Sequence, residues 1–177
     1  MKDAQVYLKI ILLSFLFYFF GLMLEITLPY LALKDDVAFL KIKKTALSYS
    51  WWQLAFYLHV FSSILTLLAG FTQFSPFFIA QFQSKVHRYM GRGYILVVLL
   101  VAAPSGFVLG LMANGGVYAK LAFVLLSLLW WSTTAAAYHY ARKKVWNLHA
   151  AFMLRSFALT LSAISLRAWK LLLVSIL

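Results

Sequence analysis

The stretch GYILVVLLVAAPSGFVLGLMA, which runs from Gly93 to Ala113, decides the fold class of this chain. It lies between Arg92 and Lys120, and no charged residue interrupts that interval. A helix rises about 1.5 Å per residue, so about 20 apolar residues cross the hydrocarbon core of a bilayer. The stretch therefore predicts a transmembrane helix.

The composition of the whole chain points the same way. Of its 177 residues, 64% are hydrophobic and only 11% are charged, and the mean hydropathy is +0.89. A soluble globular domain has a more balanced composition, so that class of protein is excluded. The chain has no cysteine, which excludes disulfides, thiolate catalysis and iron–sulfur clusters.

Four further segments are apolar and long enough to cross a membrane. We predict an all-α polytopic membrane helix bundle, formed as a single transmembrane domain over 1–177, with five helices at about 10–33, 51–74, 93–113, 119–141 and 149–171.

Proline and glycine residues predict where the helices bend or end. Pro104 predicts a kink in the third helix, and Asn114-Gly115-Gly116 predicts the tight turn after it. Pro76 predicts the end of the second helix near Phe74, with 77–82 lying in the membrane interface. The spaced apolar residues of 34–50 predict a short amphipathic piece on the membrane surface.

The basic residues predict topology. Sixteen Lys and Arg residues face four acids, for a formal net charge of +12, but they are scattered between apolar runs, so we expect no nucleic-acid partner. The larger set on one side of the membrane places the N-terminus in the cytoplasm, and we expect a bacterial inner-membrane protein. That set is Lys2, Lys9, Lys85, Arg88, Arg92, Arg142, Lys143 and Lys144; the smaller set is Lys34, Lys41, Lys43, Lys44, Lys120 and Lys170.

Ionisable residues inside the predicted spans are candidate functional groups, because they are costly in a bilayer. Glu25 lies eight residues before Leu33, and His59 lies eight residues after Trp51. Helical rise places both about 12 Å inside the same boundary. We predict an intramembrane polar cluster of Glu25 and His59, with Arg167 as a third member. A clasp between helices and a proton-relay or ligand role both remain open.

A second set of candidate residues lies at the cytoplasmic face, where Asp3 is the only acid. Cations without an acid partner attract an anionic or redox ligand, so a haem, a quinone or a lipid headgroup is expected here. The alternative for Arg155 is that it caps backbone carbonyls or extends to the interface. The candidate ligand-binding residues are His87, Arg88, Arg92, His149 and Arg155.

The histidines of this face raise two specific possibilities. His87 and His149 lie at equal depth, as the two axial ligands of a membrane b-type haem would. Together with His139 they are also the candidate ligands of a metal ion. Interfacial histidines that bind loop carbonyls or lipid headgroups are the alternative.

Two classes of function remain after these observations. The first is a membrane module that binds an anionic or redox ligand. The second is a non-catalytic accessory subunit, in which the same residues hold lipid and the helix faces pack on other membrane subunits or on a second copy. Six Trp, ten Tyr and sixteen Phe residues give an aromatic exterior that suits both. The sequence shows no nucleophile–base–acid set, so whether the protein is an enzyme stays open.

Several motifs between Trp51 and Trp169 form a recognisable combination. They are His87-Arg88-x-x-Gly91-Arg92-x-Tyr94, Ala103-Pro104-Ser105-Gly106, Gly115-Gly116, Trp131-x-Thr133-Thr134, and His149-x-x-x-Met153-x-Arg155-Ser156-x-Ala158-Leu159-Thr160 with Ala163 and Leu166-Arg167. Together they resemble the bacterial membrane family catalogued as domain of unknown function 2306. The resemblance implies a small helical bundle and no assigned activity, and His139 lies outside these motifs.

Overall fold

The computed structural model describes residues 2–74 and 83–176, and within these ranges the ordered elements are all helices. The first half contains α1 (Lys2–Thr27), the 3₁₀ helices Leu28–Ala32 and Ala38–Ile42, α2 (Lys44–Leu47) and α3 (Ser50–Phe74). The second half contains α4 (Gln83–Val97), a π-helical turn (Val98–Ala102), α5 (Ala103–Leu111), α6 (Gly116–Arg142), α7 (Trp146–Thr160) and α8 (Ser162–Ile176). Pro76 and the predicted interfacial segment 77–82 lie outside the described residues.

Four helical stretches are long and apolar enough to cross a membrane. They are Ser50–Gly70, Lys85–Leu111, Gly116–Arg142 and Trp146–Trp169, and α1 with its 3₁₀ extension adds a shorter apolar helix, Phe17–Ala32. Four to five apolar helices confirm the predicted polytopic membrane bundle. The third predicted span, 93–113, belongs to a helical stretch that begins earlier, at Gln83, and we call this stretch the third span. The last predicted span divides into α7 and α8 around Leu161.

The third span is interrupted where the sequence predicts a kink. The Ala103 N–H donates to the Val98 carbonyl, five residues back, which closes a π-helical turn. If the same five-residue spacing continued, the N–H of residue 104 would donate to the Leu99 carbonyl. Because Pro104 has no N–H, it leaves this carbonyl without a backbone donor.

The turn predicted after this span is present. Gly115 has a φ of +105° and Gly116 a φ of +77°, both in the left-handed region that glycine enters without steric cost. α6 therefore reverses direction within a few residues and packs against both α5 and α7.

The two ends of the bundle are different. The loop end is formed by residues 33–50 and 112–116, and the basic end by residues 85–92 and 139–149. At the loop end the segment after α1 folds inward: Leu40 is fully buried beside Tyr30, Trp52 and Phe56, whereas Ile42 is exposed. Burial in this segment does not follow polarity, since the charged Lys43 is also buried, so the segment does not divide into the apolar and polar faces that an amphipathic surface piece would have.

Candidate functional sites

The basic end brings His87 and His149 together. The two imidazoles are close enough to interact electrostatically. Nδ1 of His149 lies 2.9 Å from the Ala137 carbonyl oxygen, which can only accept a hydrogen bond. Nδ1 therefore carries the proton, and Nε2 keeps a lone pair that can accept a proton or ligate a metal.

The arginines of the basic end lie on the outside of the bundle. The guanidinium carbon of Arg155 is 4.9 Å from the centre of the Phe152 ring, a cation–π contact at an exposed position. Arg88 and Arg92 are also exposed. These three cations are therefore displayed toward lipid or water rather than toward the helix core.

The acids with described side chains lie away from the basic end. Asp35 and Asp36 line a cleft at the loop end, and Glu25 lies in the last turn of α1, which leads into that end. Among the residues whose side chains the structure describes, the acids therefore lie toward the loop end and none lies at the basic end.

His139 does not complete a metal site. Its ring is exposed and contacts the edge of Tyr140, with ring centres 5.5 Å apart. Within the described ranges, no group of three or more His, Asp or Glu side chains is placed to hold a metal ion. The three-histidine metal candidate is therefore not assembled in the described part of the chain, and His87 and His149 interact only electrostatically.

His59 is held inside the bundle by the π-helical turn. Its Nδ1 lies 2.9 Å from the Ala102 carbonyl oxygen, so Nδ1 carries the proton, and Nε2 is 3.5 Å from the Ser63 hydroxyl. The ring lies against Gly106, where a Cβ would come within 2.9 Å of the His59 Cε1 atom. Only glycine at 106 leaves room for this arrangement.

The predicted intramembrane cluster forms only in part. Arg167 is close enough to His59 to interact electrostatically, and its Nη1 donates to the Ala163 carbonyl at 3.1 Å. Glu25 is exposed, and the described structure does not bring it to His59. The physical reason is that the His59 N–H already donates a hydrogen bond to the Ala102 carbonyl, so it needs no carboxylate partner.

Side chains from two other helices satisfy the carbonyls of the π turn. Nε1 of Trp131 on α6 donates to the Leu99 carbonyl at 3.1 Å, which replaces the N–H that Pro104 lacks. Ser105 donates to the Val101 carbonyl at 2.6 Å, and His59 on α3 donates to Ala102. The break is therefore a fixed feature that ties three helices together.

A second polar network links α4, α6 and α7 in the buried core. The Tyr94 hydroxyl lies 2.8 Å from both the Ser156 and the Thr160 hydroxyls, and Thr134 lies 2.6 Å from Ser156. All four side chains are buried. Hydroxyls can donate and accept at once, so this network satisfies every member and fixes the relative rotation of the three helices.

Comparison with known proteins identifies the family. The family model described as "Predicted membrane protein (DUF2306)" matches residues 56–177. The chain belongs to this family. No curated protein and no solved structure matches it.

The matched range covers the polar features of the bundle. It includes His59, the π turn, both histidines of the basic end and the Tyr94 network. The motifs that carry the resemblance in sequence, such as Tyr94, Trp131 and Ser156, thereby acquire physical roles as hydrogen-bonding residues between helices. Sequence spacing could show that these residues recur in motifs but not which of them meet.

Proposed function

We propose that the basic end of this multi-pass membrane protein binds an anionic ligand through Arg88, Arg92 and Arg155, with His87 and His149 beside them. The observation that supports this is the exposure of the arginines at an end where no described acid lies. A guanidinium exposed at a membrane surface can bind a phosphate or carboxylate with two parallel hydrogen bonds.

Among the anionic ligands, the phosphate of a lipid headgroup fits this geometry best. Arg155 lies on α7 six residues after His149, and its guanidinium lies over the ring of Phe152 on the outer surface. A long cationic side chain in that position reaches lipid phosphates without opening the bundle. In this proposal the basic end faces the cytoplasm of a bacterium and the protein lies in the inner membrane.

The experiment is native mass spectrometry of the purified chain with phosphatidylglycerol or phosphatidylcholine. We expect the wild type to retain phosphatidylglycerol preferentially, and the double variant Arg92→Gln/Arg155→Gln to lose that preference. The matched control is Lys34→Gln/Lys41→Gln, which removes the same charge at the loop end. Equal loss in both variants, or no preference in the wild type, contradicts the proposal.

A second candidate, an axial pair of imidazoles for haem or for a quinone contact, is favoured by the fixed tautomer of His149. The hydrogen bond to Ala137 leaves Nε2 with its lone pair, which is the atom a haem iron would take, and His87 lies nearby. When bound, haem would supply one-electron redox chemistry. A Soret band in the purified wild type that disappears in His87→Ala and in His149→Ala, but not in His139→Ala, supports this candidate; a colourless protein contradicts it.

The accessory-subunit alternative and the orientation are tested separately. An accessory subunit would co-purify in fixed stoichiometry with other membrane proteins from gently solubilised membranes.

The orientation of the chain in the membrane can be measured by labelling single introduced cysteines, because the chain has none of its own. Single cysteines placed at Lys143 and at Lys41 should differ in their labelling by an impermeant maleimide in intact cells, with only the second labelled.

A further inference from the structure

The loop end contains a buried cation that is not paired with an acid. Lys43 is only 6% exposed, although it lies in a segment rich in charged residues. Its ammonium donates to the Met112 carbonyl and, at 2.7 Å, to the Asn114 side-chain oxygen. Both acceptors are neutral, so the positive charge is solvated but not neutralised.

A second ammonium faces the same space. Lys43 and Lys120 both line a cleft of about 250 Å³, together with Thr45 and Asn114. Burial, and then the positive charge of Lys120, lower the pKa of Lys43. Two ammonium groups that repel each other across a cleft create a positive potential inside it.

The surroundings add to that potential. Among the residues that the structure describes, the cleft is lined by no acid, because Asp35 and Asp36 line a separate cleft with Lys41 and Lys44. α6 begins at Gly116, two residues beyond Asn114, with no side-chain cap on its first turn. The N-terminus of this 27-residue helix contributes partial positive charge at this end.

We infer that the cleft between Lys43 and Lys120 is a binding site for an oxyanion, a phosphate or carboxylate, at the end of the bundle opposite to the basic end. The ammonium groups of both lysines supply the charge, and the hydroxyl of Thr45 and the amide of Asn114 supply neutral donors. Lys43 is held in place by its two existing hydrogen bonds, so the site is pre-organised before the anion arrives. The anion comes either from a lipid headgroup or from solution.

The test measures thermal unfolding of the full chain in nanodiscs. In phosphatidylcholine discs, inorganic phosphate at ten times its dissociation constant is expected to favour the folded state about tenfold, relative to chloride at equal ionic strength. Lys120→Gln, a change at an exposed position that keeps Lys43 intact, should bind phosphate about fivefold more weakly. Lys41→Gln, on the neighbouring cleft, is the matched control and should behave as the wild type.

The source of the anion is decided by a second arm with phosphatidylglycerol discs. Stabilisation by phosphatidylglycerol that is lost in Lys120→Gln assigns the site to a headgroup, and stabilisation by inorganic phosphate alone assigns it to a solute. The inference is overturned if neither anion stabilises the wild type more than Lys120→Gln, or if Lys41→Gln loses as much as Lys120→Gln. The basic end is the same in all three proteins, so an anion bound there contributes equally to each, and the cleft is assessed from the difference between the wild type and Lys120→Gln alone.

Discussion

Replacing Gly70 with alanine should separate α3 from α7. An ideal Cβ at Gly70 would lie 2.0 Å from Cε2 and 2.4 Å from Cδ2 of Phe157, whereas carbon atoms in contact need about 3.5 Å. The ring would therefore have to move by about 1.5 Å. Phe157 is only 7% exposed, so little free space is available for that movement.

The magnitude follows from two opposing effects. Overpacking of this kind costs about 1–3 kcal/mol, and the depth of the overlap places this case near the upper figure. Alanine also stabilises the helix by about 0.5–1 kcal/mol, because it is a better helix former than glycine. The expected net loss is about 2 kcal/mol, or roughly thirtyfold in the folding equilibrium.

The assay is the midpoint of unfolding in mixed micelles, followed by the helical circular dichroism signal. Gly93→Ala is the matched control, since an added Cβ there meets nothing within 4 Å, and it should be neutral or slightly stabilised. Phe157→Leu combined with Gly70→Ala should lose less stability than the sum of the single variants. A Gly70→Ala protein that unfolds at the wild-type midpoint would refute the packing of these helices.

Three further outcomes are expected in the same assay. Trp131→Phe should lose about 1–3 kcal/mol, because the Leu99 carbonyl then has neither an indole nor a backbone donor; no loss would contradict the role given to this bond. Tyr94→Phe should lose a similar amount by removing the hydroxyl shared by Ser156 and Thr160, and Tyr138→Phe on the exposed surface is its control. The pKa of Lys43 is lower in the folded state than the ordinary 10.5, so the unfolded chain binds more protons between these values and stability should rise with pH there. Unfolding midpoints from pH 8 to 11 should show that rise in the wild type and not in Lys43→Met.

The apolar spans and the turn at Gly115 and Gly116 were accessible from the sequence because each is decided locally. About 20 apolar residues specify a span, and paired glycines specify a left-handed turn whatever surrounds them. Pro104 likewise predicted an interruption of the α-helix in the third span. The form of that break was not predictable, since it depends on Trp131 and His59, which lie on other helices and donate hydrogen bonds to the Leu99 and Ala102 carbonyls.

The candidate sites show the same limit. Depth along a helix predicts His87 near His149, because both lie at helix starts on one face, and in the structure the two imidazoles interact electrostatically. Depth alone also paired Glu25 with His59, but it carries no information about rotation, and Glu25 lies on the outside. The sequence places Lys43 among the basic residues of a loop, and none of its neighbours in the chain indicates that it is buried against Met112 and Asn114.

The π-helical turn determines how the two halves of the third span are rotated relative to each other about the helix axis. It holds one residue more than an α-helical turn, and each residue advances a helix by about 100°. The half that contains Tyr94 is therefore rotated by about that angle relative to the half that contains Gly106. Deletion of a single residue within 98–102 would restore a continuous α-helix and swing Tyr94 away from Ser156 while leaving Gly106 against His59. The extra residue thus allows one span to present two different faces, one to the hydroxyl network and one to the buried histidine.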